Sequence, residues 1–93
     1  MVGKPLKGPV SLVVTFVFPR PRDMIWKVKP MVREWYTPKP DLDNVEKALK
    51  DAMTGIVWLD DSQVCRKESW KVYAAGNESA KVEVAIRELG TSD

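Results

Sequence analysis

Three polarity patterns succeed one another along this chain. Residues 10–18, VSLVVTFVF, are apolar at Val10, Leu12, Val14, Phe16 and Phe18 on one side and half apolar on the other, where Ser11, Val13, Thr15 and Val17 lie. A short run so rich in β-branched and aromatic residues predicts a strand. Apolar positions on both sides predict that both faces are covered, as in an interior strand or a subunit contact. From Asp43 to Met53 the period changes: Val45, Ala48, Leu49, Ala52 and Met53 recur at helical spacing, with Glu46, Lys47, Lys50 and Asp51 opposite them. This predicts one amphipathic helix with its apolar stripe turned to the sheet. Asp43 with Glu46 three residues later resembles a capping box. Pro40 bars backward extension, and Gly55 is placed to end the helix. Residues 64–75 alternate loosely and residues 81–88 cleanly, with Val82, Val84 and Ile86 set against Lys81, Glu83, Ala85 and Arg87. With Gly76 to Ser79 as a turn, the two are expected to pair as a hairpin. Residues 32–36 read as a short edge strand, 56–59 as an apolar link and 60–62 as a turn. The sum is an α+β fold, a small and mostly antiparallel sheet with one main helix packed on one face.

Composition narrows the chemistry. Ninety-three residues make a single small domain, and one cysteine, Cys65, allows no internal disulfide. With no histidine in the chain, Ser-His and Cys-His catalysis and imidazole zinc sites are excluded. Acid–base or metal work must fall to carboxylates and lysines, and all-oxygen sites favour Mg²⁺ or Mn²⁺. Residues 1–9 lack the apolar stretch of a secretory leader, and residues 10–18 are too few to cross a bilayer. The expectation is a soluble, cytoplasmic protein with no membrane partner.

Charge is distributed unevenly behind a net +2: Arg20, Arg22, Lys27, Lys29, Arg33 and Lys39 face only Asp23 and Glu34 between Pro19 and Lys39. Such a segment reads either as a solvated loop or as an arm for a polyanion. Its Trp26, Trp35 and Tyr36 suit packing that anchors the loop, or stacking on unpaired bases. Acids gather next, as Asp41 and Asp43 at the helix start and Asp60 and Asp61 in the following turn. Two or three aspartates around one point suit a hard divalent cation that keeps water and admits phosphate. Lys47, one helical turn beyond Asp43, could meet charge developing on a phosphate. The same residues are also ordinary helix caps and turn formers.

KPDLDNVEKALKDAMTG followed by VWLDDSQV closely resembles the signature of the RusA family of Holliday-junction resolvases, found in prophages and other mobile elements. The upstream PLKGPVSLVVTFVFPRP resembles the strand that precedes that signature, so the likeness runs from about Pro5 to Tyr73. It implies a homodimeric endodeoxyribonuclease, dependent on Mg²⁺ or Mn²⁺, that nicks four-way DNA junctions in recombination and repair. It assigns catalysis to Asp41, Asp43, Lys47 and Asp61, with the three aspartates as metal ligands and Asn44 and Asp60 in support. Arg20, Arg22, Lys27 and Lys29 are the expected DNA contacts. Residues 1–93 then form a single RusA-like domain that lacks the family's usual N-terminal strand and helix. The alternatives are a truncated, inactive DNA-binding or dimerisation module from a mobile element, or a structural fragment needing a missing partner segment.

Overall fold

The computed structural model describes residues 4–21, 32–76 and 78–90. Its elements are β1 (Val10–Phe18), β2 (Glu34–Trp35), α1 (Leu42–Met53), a 3-10 turn (Asp61–Gln63), β3 (Val64–Tyr73) and β4 (Lys81–Glu88). They form an α+β fold in which one mixed sheet has the strand order β2-β3-β1-β4.

The doubly apolar β1 takes an interior place, pairing parallel with β3 and antiparallel with β4. Val10, Leu12 and Val14 are wholly buried there. The expected hairpin does not form, since β1 lies between β3 and β4. Periodicity decides which side chains share a face, not which strand lies alongside, and a strand apolar on both sides outcompetes a half-polar neighbour for the centre. The connection from β3 to β4 instead passes the end of β1, where the Ala74 amide donates to the Phe18 carbonyl at 2.8 Å.

A register shift between Val10 and Ser11 opposes Val10 to Val64 but Ser11 to Arg66, leaving Cys65 as an extra residue on β3. Such a bulge reverses which side chains lie on each face beyond it. Val64 packs in the core with Val10 and Leu12, and after the bulge Lys67, not Arg66, stands beside Leu12.

On this same face sits α1. The helix begins one residue earlier than expected, with Asp41 rather than Asp43 as its N-cap and no side-chain cap, so the anticipated capping box is absent. Gly55 follows the helix with φ 87°, as its place at the C-terminus requires. The apolar stripe is only partly used. Met53 packs against the Trp58 core, but Ala48 and Ala52 are exposed. Val45, Ala48 and Leu49 form an open apolar groove of about 400 Å³ with Phe16, Phe18 and Val82. The buried residue of α1 is Glu46. No helix of the described residues is long and apolar enough to cross a membrane.

Candidate active site

Trp58 links the core to the acids. Its ring is fully buried against Val10 and Leu12, with Leu6, Met53 and Ile86 around it. A buried indole needs a partner for its N–H, and Nε1 reaches Thr54 Oγ1 at 3.1 Å and Asp61 Oδ1 at 3.3 Å. The Thr54 hydroxyl also donates to Asp61 Oδ1. Two donors converge on one carboxylate oxygen and fix the plane of Asp61. No described residue donates to its Oδ2.

The turn carrying Asp61 is fixed separately. Asp60 Oδ2 accepts from the Ser62 amide at 2.9 Å, and hydrogen bonding by the Ser62 hydroxyl first, then by this amide, holds the Asp60 carboxyl below its ordinary range. Gln63 Oε1 accepts from the Leu59 and Asp60 amides, while its Nε2 donates to the Leu6 and Gly8 carbonyls. Asp60 is therefore a cap for the turn, and its neighbour Asp61 is the acid turned toward the helix.

Asp61 and α1 enclose a polar recess of about 240 Å³ lined by Asp43, Glu46, Lys47, Lys50, Asp61 and Lys67. Of the residues expected at the site, Asp43, Lys47 and Asp61 come together here. Asp41 does not line the recess: it is exposed, with Lys39 Nζ 3.2 Å from its Oδ1. Asn44 is exposed on the first turn. The segment before the helix is held by Lys71, whose ammonium donates to the Pro38 and Pro40 carbonyls at 3.0 and 2.7 Å.

Glu46, Lys50 and Lys67 are the members that sequence reasoning missed. Glu46 and Lys50 were within reach, because Asp43, Glu46, Lys47 and Lys50 follow helical spacing. Lys67 was not, since its position depends on the bulge and the β1–β3 register. Glu46 is only 7% exposed and its Oε1 lies 2.8 Å from Lys67 Nζ. The hydrogen bond to Glu46 raises the Lys67 pKa, with the charge of Asp43 adding to it.

The carboxylate oxygens of the recess are the donor type a hard cation takes, but three lysines line it beside them, and no three carboxylates among the described residues stand close enough to share one ion as placed. Two carboxylates, Asp43 and Asp61, face the recess with no lysine paired to either among the described residues.

The basic segment divides. Arg20 was an expected DNA contact, but its side chain is 2% exposed. It donates to the Ala74 and Val32 carbonyls and to Glu34, which makes it a structural brace between β1 and the strands beyond it. Arg33 is engaged by Glu78 and Glu83. Arg22, Lys27, Lys29 and Trp26 lie outside the described residues. Tyr36 is an anchor, stacked on Phe18 at 4.0 Å and edge-on to Tyr73. Trp35 is not, being 72% exposed.

Comparison with known proteins places the sequence in a family. The family described as Endodeoxyribonuclease RusA matches residues 1–87, and the chain belongs to that family. It is 36% identical over 89 residues to the uncharacterized protein YqaN of Bacillus subtilis (strain 168), covering 90% of this chain and 61% of that one. It is 35% identical over 82 residues to the crossover junction endodeoxyribonuclease rusA of Lactococcus phage r1t, covering 87% of this chain and 56% of that one. The chain thus spans roughly three fifths of the length of these curated relatives. No solved structure matches it significantly.

Proposed function

We propose that this chain is a divalent-metal-dependent endodeoxyribonuclease that nicks four-way DNA junctions and acts as a homodimer. The observation that carries the reading is the meeting of Asp43 and Asp61 in one recess with Lys47. Family membership and the phage relative named a crossover junction endodeoxyribonuclease support the substrate class.

Asp43 and Asp61 are the residues that would hold Mg²⁺ or Mn²⁺, and the chemistry such an ion supplies when bound is polarisation of the scissile phosphate. Asp61 offers Oδ2 because Thr54 and Trp58 engage Oδ1. Lys47 contributes an ammonium beside the same two acids, where it stabilises charge growing on the phosphate oxygens. Asp41 stands outside the recess at the helix start, paired with Lys39. A junction has two-fold symmetry, so two copies of the site in a symmetric dimer match its paired strands.

The test is nicking of a labelled four-way junction in Mg²⁺ or Mn²⁺. The expected result is symmetric nicking that Asp43→Asn reduces to background, while Lys47→Ala lowers turnover on the order of a hundredfold with little change in binding. An intact junction with the wild-type chain in either metal would refute the reading.

A further inference from the structure

The start of α1 is held from outside the helix. Its N-cap, Asp41, makes no side-chain cap, and Ala48 and Ala52 of the apolar stripe are exposed, so the helix itself does little to fix its first turn. Ahead of it runs Pro38-Lys39-Pro40, in which both prolines lack an amide to place in a ladder. The carbonyls of an exposed loop are ordinarily left to water. Here three successive ones are taken by side-chain donors. The Lys71 ammonium donates to Pro38 at 3.0 Å and to Pro40 at 2.7 Å, and the Tyr36 hydroxyl donates to Lys39 at 3.1 Å.

The two donors also hold each other. The ammonium lies 5.2 Å from the centre of the Tyr36 ring, and the Tyr36 amide donates to the Lys71 carbonyl. Tyr36 is fixed in turn by Phe18 and Tyr73. Lys71 stands opposite Phe16 of the interior strand β1. The sheet thus grips the peptide group that joins Pro40 to the N-cap Asp41.

We propose that Lys71 and Tyr36 are positioning residues of the candidate site. Their grip on carbonyls 38 to 40 fixes the first turn of α1 against the sheet, and with it Asp43 in the recess it shares with Asp61. The inference rests on the nuclease reading above for its effect on activity, but not for its effect on the helix start. With two of its three N–H groups on carbonyls, the Lys71 ammonium is committed to the protein rather than to a phosphate. Its loss is felt at the helix start and in turnover, not in DNA affinity. Asp61, held by Thr54 and Trp58, does not depend on the clamp.

The experiment pairs amide hydrogen exchange with junction nicking, both on the full 93-residue chain. Lys71→Met keeps the stem and removes the donors. It is expected to speed exchange about tenfold at Asn44 and Val45, whose amides donate to the Asp41 carbonyl. Thr54 and Val57, at the other end of the helix, should stay within about twofold. Turnover should fall about tenfold while KM changes by less than about twofold. Lys71→Arg, which keeps a cation with N–H donors, should recover most of both losses. Tyr36→Phe should show the same pattern at smaller size. Val17→Ala, in the other core cluster, is the control for lost stability alone: its melt should drop while turnover stays near wild type. If Lys71→Met speeds all four amides alike, or weakens DNA binding instead of turnover, Lys71 is a general brace or a DNA contact and the inference is refuted. If Lys71→Met changes neither exchange nor turnover, the inference is refuted while nicking by the wild-type chain keeps the nuclease reading intact. If exchange responds as expected but the wild-type chain nicks no junction, the nuclease reading fails and the clamp on the helix start is upheld.

Discussion

The two sides of α1 differ in a way that separates what holds the molecule together from what it presents. Toward β3 the helix meets the sheet through the buried Glu46, paired with the more exposed Lys67, and at its C-terminal end Thr54 and Trp58 lock onto Asp61. Along the other side, Val45, Ala48 and Leu49 look into an open groove with Phe16, Phe18 and Val82. On the first side the contacts just named each bear on an acid of the recess. On the second, apolar area remains in water, and each exposed methylene forgoes about 0.8 kcal/mol of burial. The helix is thus positioned by the contacts that define the site, and only secondarily by the stripe that its periodicity advertises.

Substitutions at the Trp58 corner should have the largest effect. Trp58→Ala empties the centre of the core and is expected to cost about 3–5 kcal/mol in denaturant unfolding. Trp58→Phe retains most of the packing but leaves Asp61 with one donor fewer. Together with Thr54→Val, it should lower nicking by about 10–100-fold while costing far less stability than Trp58→Ala. Equal losses of stability and nicking in both variants would remove the distinction between core support and site orientation.

On the open side, Ala48→Ser and Leu49→Gln are expected to change stability by no more than about 0.5–1 kcal/mol, as at other poorly buried positions. A loss above about 2 kcal/mol would show that the stripe is covered in solution and would overturn the contrast between the two sides. The comparison can be sharpened by sedimentation of the same variants, which should leave the proposed dimer in place if that groove is not its interface.

The smallest effect belongs to the far end of the sheet. Arg33, through its hydrogen bonds, and then the Ala75 amide and Lys81 hold the Glu78 carboxyl well below the ordinary carboxylate range. A carboxyl with a lowered folded pKa adds stability above its unfolded pKa, and loses it as pH falls toward the folded one. Glu78 is partly buried, but its partners Arg33 and Lys81 reach solvent, which screens the network, so Glu78→Gln should produce only a modest destabilisation at neutral pH. The difference from wild type should narrow in acid below about pH 4. Melts at several pH values would check the sign, and a gap that widens in acid would contradict it.

Much of this contrast could be read from particular residues before the fold was in hand. The centrality of β1 followed from Val10, Leu12 and Val14 on one face and Val13 and Val17 on the other. Asp43 and Lys47 followed from helical spacing, while the turn after the helix offered Asp60 and Asp61 alike and only the family resemblance singled out Asp61. What stayed hidden depends on long-range register. β4 pairs with β1 rather than β3, because alternation specifies a face and leaves the neighbour to competition among strands. Lys67 reaches Glu46 only because Cys65 bulges, which no local pattern announces. Arg20 reads in sequence like its solvated basic neighbours, yet the Ala74 and Val32 carbonyls draw it inward. Tyr36 and Trp35 are adjacent and equally aromatic, but only Tyr36 finds Phe18 and Tyr73 to stack with.

The central claim is that the helix start and the returning turn supply one metal site. Anomalous diffraction from crystals of the chain soaked in Mn²⁺ tests it most directly. A manganese peak within roughly 2.5 Å of carboxylate oxygens of both Asp43 and Asp61 is the result expected. Manganese bound elsewhere, or ligated by neither residue at saturating concentration, would contradict the account.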